Sequence, residues 1–233
     1  MNDETLKWIT QQSDITKMYV HDFKNPASAI SANLSFLEAV VEDEDALEAI
    51  TDSAIAIKSM MRMFDNFLNI SKLESGESCP LEKVDVTDFI NASVNNVRKM
   101  YAMMEPALEV NLNFTDVQAS WPVSYAAMAI ENLCLVSLQN TSSSGIVELG
   151  ASIHNNNIHI TIRDNGIPIA SEYLEKSFDR TFQTVAKTDK HARYGRAMAM
   201  YAIKLVAQYM NGSVKALPSE KNTQTIVLIL PVN

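Results

Sequence analysis

Cysteine is scarce in this chain: there are two among 233 residues. Cys79 and Cys134 stand far apart and lack metal-ligand spacing, so both are expected to be reduced and without a chemical role. The histidines lack metal spacing as well, and His154 and His159, on an expected hairpin and its strand, read as incidental. No apolar run approaches the roughly 18 residues a membrane span needs. Met1-Asn2-Asp3-Glu4 has neither the basic start nor the apolar stretch of a signal peptide, so a cytoplasmic location is expected. Positive charge is also short: 19 Lys and Arg against 28 Asp and Glu leave a net charge of -9. Nucleic acid and anionic membranes both recruit clustered cations, so neither is an expected partner. Internal repeats and low-complexity segments are absent.

What the chain does have, in its first third, is heptad periodicity. Apolar residues fall at Val20, Phe23, Ala27, Ile30, Leu34, Leu37 and Val41, then at Leu47, Ile50, Ala54, Ile57, Met61, Phe64 and Leu68. Steps of three and four residues mark a bundle seam on each of two long helices. The acidic run Glu42-Asp43-Glu44-Asp45 suits a solvated turn between them. Two such helices cannot bury both stripes alone. A second copy of the hairpin would complete a four-helix bundle across a dimer axis.

Residues 75–80 break the second helix and read as a linker. Beyond it the pattern is mixed. Helices are expected over 86–103, with a cap at Val86-Thr87-Asp88, and over 122–139 and 196–210; strands are expected over 107–114, 146–153, 158–163, 213–217 and 225–231. Asn155-Asn156-Asn157 has turn composition, and Asn211-Gly212 is a left-handed helix stop. The expected fold class is α + α/β: a two-helix hairpin over 1–77, forming a dimeric four-helix bundle, then an α/β sandwich over 78–233 with helices on one face of a mixed sheet.

On a helical wheel of about 100° per residue, His21 lies roughly 160° from the mean direction of the apolar stripe. Asn25 shares that outer face one turn on, and Ser28 falls nearby. A lone exposed histidine is ordinarily one surface residue among many. Here Asp22 follows it, an acid able to fix a tautomer, and Pro26 interrupts the helix at a cost of about 3 kcal/mol. An imidazole, with an ordinary pKa near about 6.5, offers a neutral nitrogen that can attack phosphorus in line and pass the group on.

His21-Asp22-Phe23-Lys24-Asn25-Pro26 closely resembles the phosphoacceptor box of sensor histidine kinases, and residues 67–76 resemble the end of their second hairpin helix. Glu131-Asn132-Leu133 falls where their asparagine box begins, Asp164-Asn165-Gly166 where the first glycine box begins, and residues 195–200, opening on Gly195, where the second would be. The resemblance covers nearly the whole chain. It implies that His21 is the phosphorylated residue, Asp22 its acidic helper, Asn25 a position that aids dephosphorylation of a partner, and Asp164 the reader of an adenine amino group.

The departures bear on the nucleotide. The family's magnesium-holding asparagine is Val136 here, the following alanine and basic residue are replaced over Ser137 to Gln139, a glycine is Pro168, and two more become Ala197 and Ala199. Valine supplies no metal ligand. Side chains in place of glycine obstruct the approach of backbone N–H groups to phosphate. With Met198 and Met200 the segment reads as an ordinary helix start, Asp164 and Gly166 read more readily as a structural turn between strand and loop, and Met198, Met200 and Met210 as core filler.

The leading expectation is therefore a histidine phosphotransferase, relaying phosphoryl groups between receiver-domain aspartates, with a degenerate nucleotide site (Asn132, Val136, Asp164, Gly166, Gly195) and no metal or cofactor. Its partners would be response-regulator receiver domains, docked around Lys24 and Ser28 beside His21, and a second copy of the chain. The absence of a sensor segment and the native-looking Met1 favour a complete chain of this kind. One alternative is a soluble histidine kinase with a divergent ATP and magnesium site, Glu131 or Asn132 serving as metal ligand. Another is a non-catalytic scaffold or phosphatase-like regulator, which has no need of the His21-Asp22 pair.

Overall fold

The computed structural model describes residues 3–100, 107–142, 145–182, 198–220 and 222–232, with side chains from residue 11 onward apart from that of residue 100. The chain divides into two compact units, residues 1–77 and 78–233.

Unit 1 is a helical hairpin of α1 (Asp3–Val40) and α2 (Glu44–Glu74). Asp43 in the acidic turn is the N-cap of α2, its Oδ1 accepting from the Ala46 N–H at 2.9 Å, which fills one of the donors a helix start leaves open. Both expected stripes lie along the hairpin, but they are not equally covered. Val20, Ala27, Ile57 and Ile70 are buried, whereas Phe23, Ile30, Leu37, Phe36, Met63 and Phe67 are exposed. Phe23 stacks on Phe64 across the two helices with ring centroids 5.3 Å apart. α1 runs through Pro26 without ending. Proline has no N–H, so the carbonyl four residues back, that of Asp22, loses its helical donor.

Unit 2 is built on a five-stranded sheet in the order β2-β4-β5-β7-β6, formed by β2 (Leu108–Leu112), β4 (Val147–His154), β5 (Asn157–Asp164), β6 (Ser213–Glu220) and β7 (Thr223–Pro231). β2 runs parallel to β4 and the other pairs are antiparallel. Alternate residues face the helices: Val147, Leu149 and Ala151 on β4, Ile158, Ile160 and Ile162 on β5, Ile226, Leu228 and Leu230 on β7, all buried. The covering helices are α3 (Val86–Met100), α4 (Val123–Asn140) and α5 (Ala199–Tyr209). α4 packs on both α3 and α5 and lies across β4 and β5. A separate two-stranded sheet pairs β1 (Glu82–Asp85) with β3 (Gln118–Trp121), and the Trp121 indole N–H donates to the Pro231 carbonyl at 2.8 Å.

Details depart from the sequence reading at several ends. The cap of α3 is Asp85, which accepts from the Asp88 N–H at 3.0 Å, one residue before the expected start. α5 begins at Ala199, and Met198 ahead of it is left-handed, φ 55°, a conformation glycine adopts more readily, so this is no ordinary helix start. Gly195 and Ala197 lie outside the described residues. Met200 and Met210 are core residues. His154 and His159 meet edge to face across the β4–β5 hairpin.

The stop after α5 is as expected: Asn211 has φ 57° and the Gly212 N–H reaches back to the Ala207 carbonyl at 2.7 Å. A Cβ on Gly212 would run into the Ile229 carbonyl of β7, backbone that has no room to move. Gly212→Ala is expected to destabilise unit 2 by about 2 kcal/mol or more, read as a lowered urea midpoint.

Candidate functional site

Two groups of side chains, one in each unit, carry the chemistry. On α1, Val20 and Ala27 are buried, and the residues that follow them, His21 and Ser28, are exposed. The His21 side chain is 75% exposed and that of Asp22 77%, with His21 Nδ1 3.4 Å from Asp22 Oδ1, the long edge of hydrogen bonding. Asn25 and Ser28 are exposed on the same helix. Lys24 is half-buried and its ammonium pairs with Asp65 of α2, so its charge is held across the hairpin.

In unit 2, Asn132, Val136 and Asn140 follow one another at one-turn intervals on α4 and are all buried. Asp164 ends β5, and its carboxylate is 1% exposed. The Asn140 amide donates to Asp164 Oδ1 at 2.8 Å and to the Ile167 carbonyl at 3.1 Å, and the Gly166 N–H donates to the same Oδ1 at 3.0 Å. Asp164 Oδ2 and Ser137 Oγ are buried without a hydrogen bond of full geometry, although the hydroxyl lies close enough to favour the ionised carboxylate. Burial outweighs these donors and holds the Asp164 pKa above the ordinary carboxylate value. Glu131, half-buried, accepts from Asn96 of α3 at 3.2 Å. Across the sheet Gln224 is fully buried: its Oε1 accepts from the Ile169 N–H at 2.8 Å and its amide donates to the Leu217 and Thr225 carbonyls.

Asn140, at the end of α4, thus meets Asp164 and Gly166 at the end of β5, while Val136 and Asn132 stand one and two turns further back along α4. Sequence reasoning missed Asn140 and Gln224. Asn140 continues the four-residue spacing from Asn132 and Val136, and Gln224 falls in the inward register of Ile226 and Leu228. Either polar residue in an apolar register was a readable signal.

Residues 125–233 match the family of histidine kinase-, DNA gyrase B- and HSP90-like ATPases. The sensor-like histidine kinase SenX3 of Mycolicibacterium smegmatis is 26% identical over 221 residues, 91% of this chain and 55% of that protein. The sensor histidine kinase YcbM of Bacillus subtilis is 24% identical over 219 residues, 89% of this chain and 68% of that one. Full-length ShkA, solved with AMPPNP, superposes with a TM-score of 0.67 over 94% of this chain and 45% of its own, at 13% identity. The mycobacterial sensor histidine kinase MprB gives 0.52 over 65% of this chain and 97% of its own, at 22% identity. The chain has the build of a sensor histidine kinase core. It spans little more than half the length of SenX3. Among its described residues no helix is long and apolar enough to cross a membrane.

Set against ATP and magnesium, the ligand that the ATPase family match suggests, the side chains meet its two ends unequally. Asp164 is a buried carboxylate with one oxygen lacking a full hydrogen bond, a group of the kind that reads an amino N–H. Val136 is 2% exposed and offers only carbon where a metal needs oxygen. Asp164 has the chemistry to read a base, though its Oδ1 already holds Asn140 and Gly166, and the side chain of Val136 has nothing to offer a metal.

The raised Asp164 pKa fixes the sign of a stability effect. The folded state keeps this proton to higher pH than the unfolded state does. The associated stability is full below the ordinary carboxylate pKa and is lost as pH rises through the raised value. Asp164→Asn keeps the acceptor for Asn140 and Gly166 and removes the buried charge. Its melting temperature is expected to exceed wild type at pH 8, with the gap closing towards pH 4; a gap that widens on acidification contradicts this account.

Proposed function

We propose that this chain carries a phosphoryl group on His21 in two-component signalling and exchanges it with the aspartate of a response-regulator receiver domain. The observation that carries the reading is the exposed His21, adjacent to Asp22, on a helix whose buried residues Val20 and Ala27 point elsewhere. With the ring proton held on Nδ1 towards Asp22, Nε2 presents its lone pair to solvent. That nitrogen attacks phosphorus in line, forming the N–P bond as the bond to the leaving oxygen breaks, and the reverse attack by a receiver carboxylate returns the ring to neutrality. Asn25 and Ser28, on the same exposed side, contact the receiver. The Lys24–Asp65 pair fixes the two helices at that level. Asn25 would also position water for dephosphorylation of the partner.

The exposed Phe23, Ile30, Leu37, Met63 and Phe67 support a second copy of the hairpin as the cover that completes a four-helix bundle. The named relatives are sensor histidine kinases, and kinship with them supports homodimers and receiver partners.

Two phosphoryl donors are chemically available, and each has support. The ATPase family match and the kinase relatives favour ATP, with autophosphorylation of His21. In that case Asp164 reads the base, the nucleotide supplies the γ-phosphoryl, and Glu131 or Asn132 stands nearest to the metal. Val136 favours the narrower reading, a phosphotransferase loaded by one receiver and unloaded by another, for which neither nucleotide nor metal is required.

Incubation with labelled ATP and magnesium, and separately with a phosphorylated receiver, separates the two. Label from ATP identifies the kinase, and label from the receiver alone identifies the relay protein. In both arms His21→Ala is expected to take up no label while its mass in solution stays that of the wild-type dimer. Undiminished transfer by that variant removes His21 from the pathway.

A further inference from the structure

Neither donor reading uses Asn140. Both hydrogens of its amide are engaged, one on Asp164 Oδ1 and one on the Ile167 carbonyl. Oδ1 holds the Gly166 N–H as well. Asp164 Oδ2 and Ser137 Oγ are both buried without a hydrogen bond of full geometry, the hydroxyl close enough to favour the ionised carboxylate. The loop that follows β5 is pinned at further points: Asn165 Oδ1 accepts from the Ile146 N–H at 3.0 Å and Gln224 Oε1 from the Ile169 N–H at 2.8 Å. A Cβ on Gly166 would overlap the Asn140 side chain and carbonyl, so amide and loop are in close contact.

We infer that Asn140 is an internal substitute for a ligand's amino group: it donates to the carboxylate a nucleotide base would need, and unit 2 keeps its fold with no nucleotide bound. The inference rests on reading residues 125–233 as an ATPase-type lobe and deepens the receiver-fed reading, but it is independent of His21. A base bonding Asp164 Oδ1 has to displace the Asn140 amide and leave a buried donor unpaired, which weakens binding roughly tenfold to a hundredfold. Val136 adds the loss of a metal ligand, so the two changes act on opposite ends of the same ligand.

Isothermal titration of the whole chain with ATP and with ADP, each with and without Mg²⁺, tests this. Wild type is expected to show no saturable binding up to millimolar nucleotide, and folded Asn140→Ala to gain affinity by at least about tenfold. Micromolar binding by wild type overturns the inference, as does a folded Asn140→Ala protein with no gain. If that variant does not fold, wild type decides by itself. Its Asn140 side-chain amide signals in ¹⁵N NMR are expected to exchange slowly and to stay unmoved by millimolar ATP and magnesium; signals that move sink the idea. Nucleotide binding by wild type would leave the carrier role of His21 intact, since that role is read from label on the histidine and not from binding to unit 2.

Discussion

A helix packed along one face has the direction of its other face fixed, and unit 1 depends on that constraint. Val20 and Ala27 are buried against the rest of the hairpin, and His21, next to Val20, is turned away from the seam. The ring is held in place by its helix and not by a pocket, and its side chain is 75% exposed. Pro26 acts at the same level. It removes the amide donor that residue 26 would otherwise give the Asp22 carbonyl, in the turn that carries the imidazole.

Unit 2 is governed by the cost of burying polar atoms. Asp164, Asn140, Ser137 and Gln224 sit among residues with almost no exposure, and a carboxylate in that setting requires donors close by. Asn140 and Gly166 provide them, and burial still holds the proton on Asp164 to higher pH than usual. The Gln224 amide meets three backbone groups around the same loop. These contacts join the end of α4, the end of β5 and the start of β7, the three elements that define this end of the sheet.

Much of this architecture was legible from periodicity. Seven-residue spacing located α1 and α2, alternation located β4, β5 and β7, and the Asn155–Asn156 turn and Asn211–Gly212 stop have the positive φ or the backbone closure their composition implied. Exposure of His21 followed from the wheel. Two things were harder to read. β1 and β3 are four residues each, too short for alternation to rise above chance, and their pairing joins segments about 35 residues apart. The Asn140–Asp164 bond spans 24 positions, and only folding brings α4 to the end of β5.

Kinship and local chemistry weigh differently in the two halves of the problem. Relatives at 24–26% identity share an architecture because a buried helix face and an alternating strand accept many apolar residues. Val136 satisfies that requirement well: it is buried, apolar and packed. A hydrated divalent cation is less permissive, since it demands oxygen at about 2 Å and gains nothing from carbon. A sheet order can therefore persist whether or not a metal ligand stands at such a position, so the fold by itself says little about residue 136. The same logic applies to Asp164, where one amide from Asn140 occupies a carboxylate oxygen and leaves every strand in register.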